Sequence, residues 1–266
     1  MENESNKDAL VSVIIACHNA ENYIDDCLES IVSQTYNNLE IIICDDASTD
    51  GSYEKLLFWK EKDSRIIILQ NEENLFAAAT RNKCIEASKG EYLLIHDIDD
   101  MSFPNRVEVL LEQLRKEDIH FVSCGVADFN KNKEDIVSYR IPKKEYPTKK
   151  SFLWTLPFFH AATLFKRECI IKIGGYRIAP ETRRCQDYDM FMRLYAAGYK
   201  GKNISDVLYY YRLDEANYKR RTWAARKGEI KIRKQRFKDL GLMPWALPFV
   251  YKPVFAHIAM KLRRKR

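Results

Sequence analysis

Long uncharged hydrophobic stretches are missing from this sequence: no run of 18 residues is free of both charge and proline, which argues against a polytopic membrane protein. Glycine (9) and proline (8) are scarce among 266 residues, excluding collagen-like and low-complexity chains. There is no C-x-x-C. The seven cysteines, Cys17, Cys27, Cys44, Cys84, Cys124, Cys169 and Cys185, are odd in number and far apart, so neither a zinc ribbon nor a fully paired disulfide framework is expected. They read as small apolar core side chains in a reducing cytosol. The polar start, Met1 to Asp8, precedes only a short strand-like run, and no signal-peptide hydrophobic region is expected. The segment after that run, CHNAEN, contains no glycine, which removes the G-x-G-x-x-G of a Rossmann oxidoreductase.

What is present is a chain 46% hydrophobic, enough for one large domain with or without a short appendage. The net charge of +6 hides an asymmetry. From Lys219 to Arg266 sixteen Lys and Arg face only Glu229 and Asp239, a charge of +14, leaving −8 on the preceding residues. Such a tail suits an anionic membrane surface or a nucleic acid, and composition alone does not choose.

Periodicity predicts alternating strands and helices. Val11–Ala16 reads as a strand, and Tyr23–Gln34 as a helix carrying Ile24, Cys27, Leu28 and Ile31 at helical spacing. Glu40–Cys44, Ile66–Leu69 and Gly90–Ile95 give further strands, separated by helices over Gly51–Glu61 and Phe76–Ser88. Near-continuous apolar strands alternating with helices mean a parallel α/β sheet. A helix follows Pro104, then a strand over Phe121–Val126. Lys131–Lys150 is polar and reads as a loop or excursion; Ala162–Phe165, an Ile170–Gly175 turn, a helix over Asp187–Ala197 and a strand over Val207–Tyr211 follow.

Ligands of open parallel sheets bind outside the carboxyl ends of the strands, and the carboxylates fall there. Asp45–Asp46 close one strand, Asp97, Asp99 and Asp100 another, and Asp187 and Asp189 open a helix. Taken singly, each acid after a strand is an ordinary turn former or helix cap. Seven together would repel one another unless a cation, hydrogen bonds or raised pKa values relieved them. Oxygen-only donors at this density suit Mg²⁺ or Mn²⁺.

With these pieces in order, the chain resembles the family 2 glycosyltransferases of GT-A fold. The matching segments are VSVIIACHNAENYIDDCLESIVSQTY, LEIIICDDASTDGS, NEENLFAAATRN, GEYLLIHDIDDMSFPNR, the IGGYR turn and QDYDMFMRLYAAG, spanning roughly residues 10–212. The resemblance implies a Rossmann-like mixed, mostly parallel sheet flanked by helices, a nucleotide-sugar donor, Mn²⁺ or Mg²⁺, and inversion at the anomeric carbon. It divides the chain into a catalytic domain over 1–218, with a nucleotide-binding half near 10–104 and an acceptor half near 105–218, and a basic helical tail over 219–266. Carried over residue by residue, it places Ala16 and His18 by the nucleotide base, Asp46 (or Asp45) on the base of a UDP-linked donor, and Arg81 and Asn82 within reach of the nucleotide. It further places Asp97 by ribose and metal, Asp99 on the metal, and Asp187 as general base.

Two departures stand out. Gln186 occupies the position where the family often has Glu, and Asp214 follows Tyr211-Arg212-Leu213 where a His is common, so Asp214 is an alternative oxygen ligand to the metal. His160, Trp154 and Phe158–Phe159 are acceptor-side candidates, while Tyr209, Tyr210 and Tyr211 read as strand core. The resemblance and the tail together imply a glycan or lipid-linked acceptor, cytoplasmic residence, peripheral contact with the anionic inner face of the membrane and no nucleic-acid partner. Leu242–Met260, apolar but broken by three prolines and Lys252, fits an interfacial segment better than a spanning one.

Overall fold

The strongest apolar runs form one half of a mixed sheet. In the computed structural model, which describes residues 9–213, 222–255 and 258, strands β1 (Val11–Cys17), β2 (Leu39–Asp45), β3 (Ile66–Gln70) and β4 (Tyr92–Asp97) lie parallel in the order β3-β2-β1-β4. Helices α1 (Ile24–Val32), α2 (Ser52–Lys62) and α3 (Phe76–Ala87) return the chain between them. Val11, Val13 and Ile15 of β1 pack with Cys27, Leu28 and Ile31 of α1 and with Leu56 and Trp59 of α2. Ile14, with Ile42 and Cys44 of β2, turns to the opposite face against Cys84 and Ile85 of α3. Burial on both faces is why these strands show no polar alternation.

The other half is organised by β6 (Phe121–Phe129). It runs antiparallel to β8 (Thr163–Lys166), which joins β4, parallel to β9 (Gly201–Arg212), and antiparallel to β7 (Ile136–Arg140). A two-residue strand, β5 (Met101–Ser102), pairs with β9. Helix α4 (Arg106–Lys116) covers the α1 face through Val107, Leu110, Leu111 and Leu114; α5 (Arg167–Lys172) and α6 (Gln186–Ala196) cover the other. Strand β7 lies inside the stretch expected to be a loop. Its Val137 and Tyr139 are exposed, so no inward alternation marks it, and pairing with β6 is reinforced by the two-pronged contact of Arg140 with Asp128 at 2.6–2.9 Å. Helix α5 likewise precedes the turn at Gly174–Gly175 that stood alone in the sequence.

The basic C-terminal segment packs on this body. Helix α7 (Trp223–Asp239) buries Ile232 and Phe237, and Leu240, Leu242, Ala246 and Val250 continue the same core as Met190, Phe191 and Leu194 of α6. Burying side chains of this size stabilises by roughly 1.5–3 kcal/mol each, ample to hold the segment in place. Its outward residues Trp245, Leu247, Tyr251, Phe255 and Ile258 stay exposed. No helix among the described residues is long and apolar enough to cross a membrane.

Candidate active site

The register of the parallel half sets the site. Across β1, Ala16 is paired with Asp97 and Cys17 with Asp45, so the acids ending β2 and β4 flank the end of the central strand. Asp46 Oδ1 accepts from Asn71 Nδ2 (2.7 Å) and the Leu75 backbone N–H (2.8 Å), which fixes the carboxylate at the mouth of a cavity of about 700 Å³. His18 lines the same cavity. Its Nδ1–H donates to the Asp46 carbonyl at 2.8 Å, because a carbonyl can only accept, and Nε2 then accepts from Asn74 Nδ2 at 3.0 Å. Asp45 is fully buried and turned toward the Ser48 backbone N–H, so Asp46 is the acid that faces the cavity. Three non-glycine residues around these loops, Asn19, Ala47 and Phe76, have φ of 51–66°, a left-handed backbone that costs energy for Ala and Phe and concentrates at sites where loop shape matters.

Beyond β4 the chain turns through Asp97, Asp99 and Asp100, and one oxygen from each can come within 4.8 Å of the others. Arg81 of α3 holds Asp97 through Nη2 at 2.5 Å. Burial would raise the Asp97 carboxyl, but the charge and hydrogen bond of Arg81 outweigh it and hold the group below the usual range. Asp100 is pushed the other way, well above the ordinary carboxylate value, by burial and then by Asp99 and Asp97. Its Oδ1 accepts the Arg212 backbone N–H at 2.7 Å, while Oδ2 is buried with no partner among the described residues. An orphaned buried oxygen within an all-carboxylate set is what a hard divalent cation would satisfy, so these residues fit Mg²⁺ or Mn²⁺. Asp100 was not assigned to the metal from sequence; its signal, a third acid in the D-x-D-D run, was there. Asp214 lies outside the described residues.

Asp187 opens α6. Burial raises its carboxyl above the usual value against the Tyr188 N–H bond (2.7 Å) and the Arg81 charge, which pull it down. Asp187 and Tyr211 line both the large cavity and a second one of about 250 Å³, which holds Arg81, Asp97, Phe158, Phe159, His160 and Tyr209. Arg81 is 7% exposed, and its Nε and Nη1 have no partner among the described residues. His160 Nε2 lies 2.6 Å from the Tyr176 hydroxyl; burial, then Arg81, drives the imidazole down to about 3, so it is neutral at any working pH.

Other expectations move. Asn82 does not face the cavities: its amide brackets the Tyr176 backbone on both sides at 2.8 Å, and Gly175 (φ +65°) is needed there because a Cβ would lie 2.6 Å from Asn82 Oδ1. Trp154 sits on the surface, 61% exposed and edge-on to Phe249, away from both cavities. Tyr209 is core yet lines the smaller cavity, its hydroxyl accepting the Asp97 N–H at 3.2 Å. Beneath it is a residue that periodicity could not single out, the fully buried Arg106. It donates to Ser102, Ile95 and Ala161 at 2.6–3.0 Å and stacks 4.5 Å from the Tyr209 ring, bracing the loop that carries the acids.

Against known proteins, residues 12–174 match the family model described as glycosyl transferase family 2. The chain is 33% identical over 214 residues to the putative glycosyltransferase EpsE of Bacillus subtilis, covering 80% of this chain and 76% of that one. It is 29% identical over 204 residues, 77% of each chain, to an Escherichia coli protein named UDP-Glc:alpha-D-GlcNAc-diphosphoundecaprenol beta-1,3-glucosyltransferase WfaP. The mannosyltransferase PcManGT of Pyrobaculum calidifontis, solved in complex with GDP-Man and Mn²⁺, superposes with a TM-score of 0.64 at 21% identity over 94% of this chain and 75% of that one, a likeness of fold. The curled sheet, the order of its strand-end acids and the match over more than half its length agree: the chain belongs to glycosyl transferase family 2 and is a glycosyltransferase.

Proposed function

We propose that this glycosyltransferase moves a sugar, with inversion, from a nucleoside diphosphate donor, most simply a UDP-sugar, to a hydroxyl of a glycan or lipid-linked oligosaccharide in bacterial surface polysaccharide synthesis. The observation that carries the reading is the position of Asp187, a carboxylate with a raised pKa at the junction of two cavities, one opening on His18 and Asp46, the other on Asp97, Arg81 and His160. The UDP-Glc and diphosphoundecaprenol in the name of the E. coli relative support the donor and acceptor classes.

In this reading His18, Asp46 and the end of β1 at Ala16 hold the nucleoside. Asp97, Asp99 and Asp100 hold Mn²⁺ or Mg²⁺, which when bound offsets the negative charge gathering on the leaving diphosphate. Arg81 keeps Asp97 ionised and in place. Asp187 accepts the proton of the acceptor hydroxyl as its oxygen attacks the anomeric carbon from the face opposite the diphosphate, so one displacement inverts the centre without a covalent intermediate. Burial suits the base to this step, since a carboxylate of raised pKa holds the accepted proton more firmly.

The test is a transfer assay with a panel of UDP- and GDP-sugars, Mn²⁺ and a prenyl-diphosphate-linked N-acetylglucosamine, scoring release of nucleoside diphosphate and the anomeric configuration of the product. Metal-dependent release with inversion is expected; a retained configuration contradicts the role of Asp187. Peripheral contact with anionic lipid at the cytoplasmic face belongs to the same reading, supported by exposed Trp245, Tyr251 and Phe255 beside a cationic segment. Sedimentation with anionic vesicles that weakens as salt rises is expected; no sedimentation at low salt contradicts it.

A further inference from the structure

The wall of the larger cavity opposite His18 and Asp46 comes from outside the family-matched segment. Ala225, Arg226 and Glu229, on the first two turns of α7, line it together with Arg183, Arg184, Gln186 and Asp187. Arg226 pairs with Glu229 through Nη1 at 3.1 Å, and its buried Nε has no partner among the described residues. Glu229 in turn holds Arg233 at 2.9 Å, so the acid that α7 brings to this wall is shared between two guanidinium groups. Arg183 adds a third, stacked 3.5 Å from the Phe76 ring at the rim. The wall therefore carries cationic charge and an unmet buried donor.

The helix that presents Arg226 is fixed to the catalytic body. Arg236 reaches Asp189, two residues beyond Asp187, at 2.8 Å, where that fully buried carboxylate is also met by Arg193 (2.8 Å) and Arg177 (3.3 Å). Arg233 donates to the Leu153 carbonyl at 2.9 Å. Gly228 lies so close to the Glu181 backbone that a Cβ would be 2.7 Å from its carbonyl oxygen. The C-terminal helix is thus a seated wall of the cavity.

We infer that Arg226 is a diphosphate-binding residue, supplied to the site by the C-terminal helix. The inference rests on the nucleoside diphosphate donor proposed above. Guanidinium is the group that meets phosphate oxygens with a planar fork of donors, and that of Arg226 lines the cavity with a donor that has no partner among the described residues. A diphosphate can come from the donor or from a lipid-linked acceptor, and binding measurements separate the two.

Titration calorimetry of the full chain in Mn²⁺ would compare wild type, Arg226→Ala and the exposed neighbour Lys227→Ala, with UDP, uridine and geranylgeranyl diphosphate as probes. Arg226→Ala should weaken UDP about 10–100-fold, the range for a hydrogen bond to a charged group, and leave uridine unchanged, while Lys227→Ala changes neither. The same loss confined to geranylgeranyl diphosphate assigns the residue to the acceptor's diphosphate. Unchanged affinity for both diphosphates overturns the inference, as does an equal loss for UDP and uridine, which would mark a residue that only shapes the cavity. Should the alanine variant fold poorly, Arg226→Met keeps the packed stem and carries the same expectations. A wild type that binds no nucleoside diphosphate defeats the donor reading and this inference with it; a wild type that binds UDP no more tightly than the variant defeats this inference alone.

Discussion

Two of the places where this molecule buries carboxylates treat their charge in different ways. Asp189 on α6 is met by three guanidinium groups, from the segment after α5, from its own helix and from α7, so its charge is closed within the protein. The group after β4 has Arg81 on Asp97, but one buried Asp100 oxygen has no partner among the described residues and the carboxyls are pushed apart in pKa. Asp187 and Asp189 show the same contrast within one helical turn: the first faces the cavities and the second faces the scaffold.

That contrast can be broken at several points. Asp187→Asn should reduce turnover on the order of 10²–10⁴-fold while leaving donor affinity nearly intact, the signature of a positioned base, read as a split between kcat and binding. Because burial raises the Asp187 carboxyl, the acid limb of kcat in the wild type should lie above the ordinary aspartate value near 3.8 and disappear in the variant: activity falls as pH drops through the raised pKa and the base is protonated. Asp189→Ala should act on stability instead. It removes the carboxylate shared by three arginines, of which Arg177 keeps Glu181 and Arg236 keeps Asp239 while the largely buried Arg193 keeps only backbone carbonyls, and a loss on the order of 3 kcal/mol is expected from denaturant unfolding. A variant of Asp189 as stable as wild type would show that the hub is not what closes its charge. The smallest effect is expected at Glu112, whose pair with Lys116 lies on the surface with both side chains more than half exposed. Glu112→Ala should change stability by less than about 0.5 kcal/mol.

Much of this was legible in the chain. Strands buried on both faces announce themselves as apolar runs whatever their neighbours, and their ends carry acids whose spacing marks the site, so Asp46, Asp97, Asp99 and Asp187 could be named before any fold was known. What escaped depends on distant partners. Strand β5 is two residues long and exists through β9, and β7 shows Val137 and Tyr139 to solvent and is held by β6. Arg106 looks like a surface charge at a helix start and is instead swallowed by three acceptors from separate segments. The basic C-terminal stretch reads from its charge as a tail suited to an anionic surface, yet its ion pairs to Asp189 and Glu181 and its buried Ile232 and Phe237 turn part of it inward. Net charge reports how many cations a segment has, and only the fold shows which face acids.

The most direct measurement is the binding of UDP by titration calorimetry, with and without Mn²⁺, to the wild type and to Asp99→Ala. If Asp97, Asp99 and Asp100 hold a divalent cation, wild type should bind UDP far more tightly with Mn²⁺ than without, and Asp99→Ala should lose that difference while remaining folded. Equal affinity with and without the metal in the wild type, or a full metal effect retained in Asp99→Ala, would contradict it.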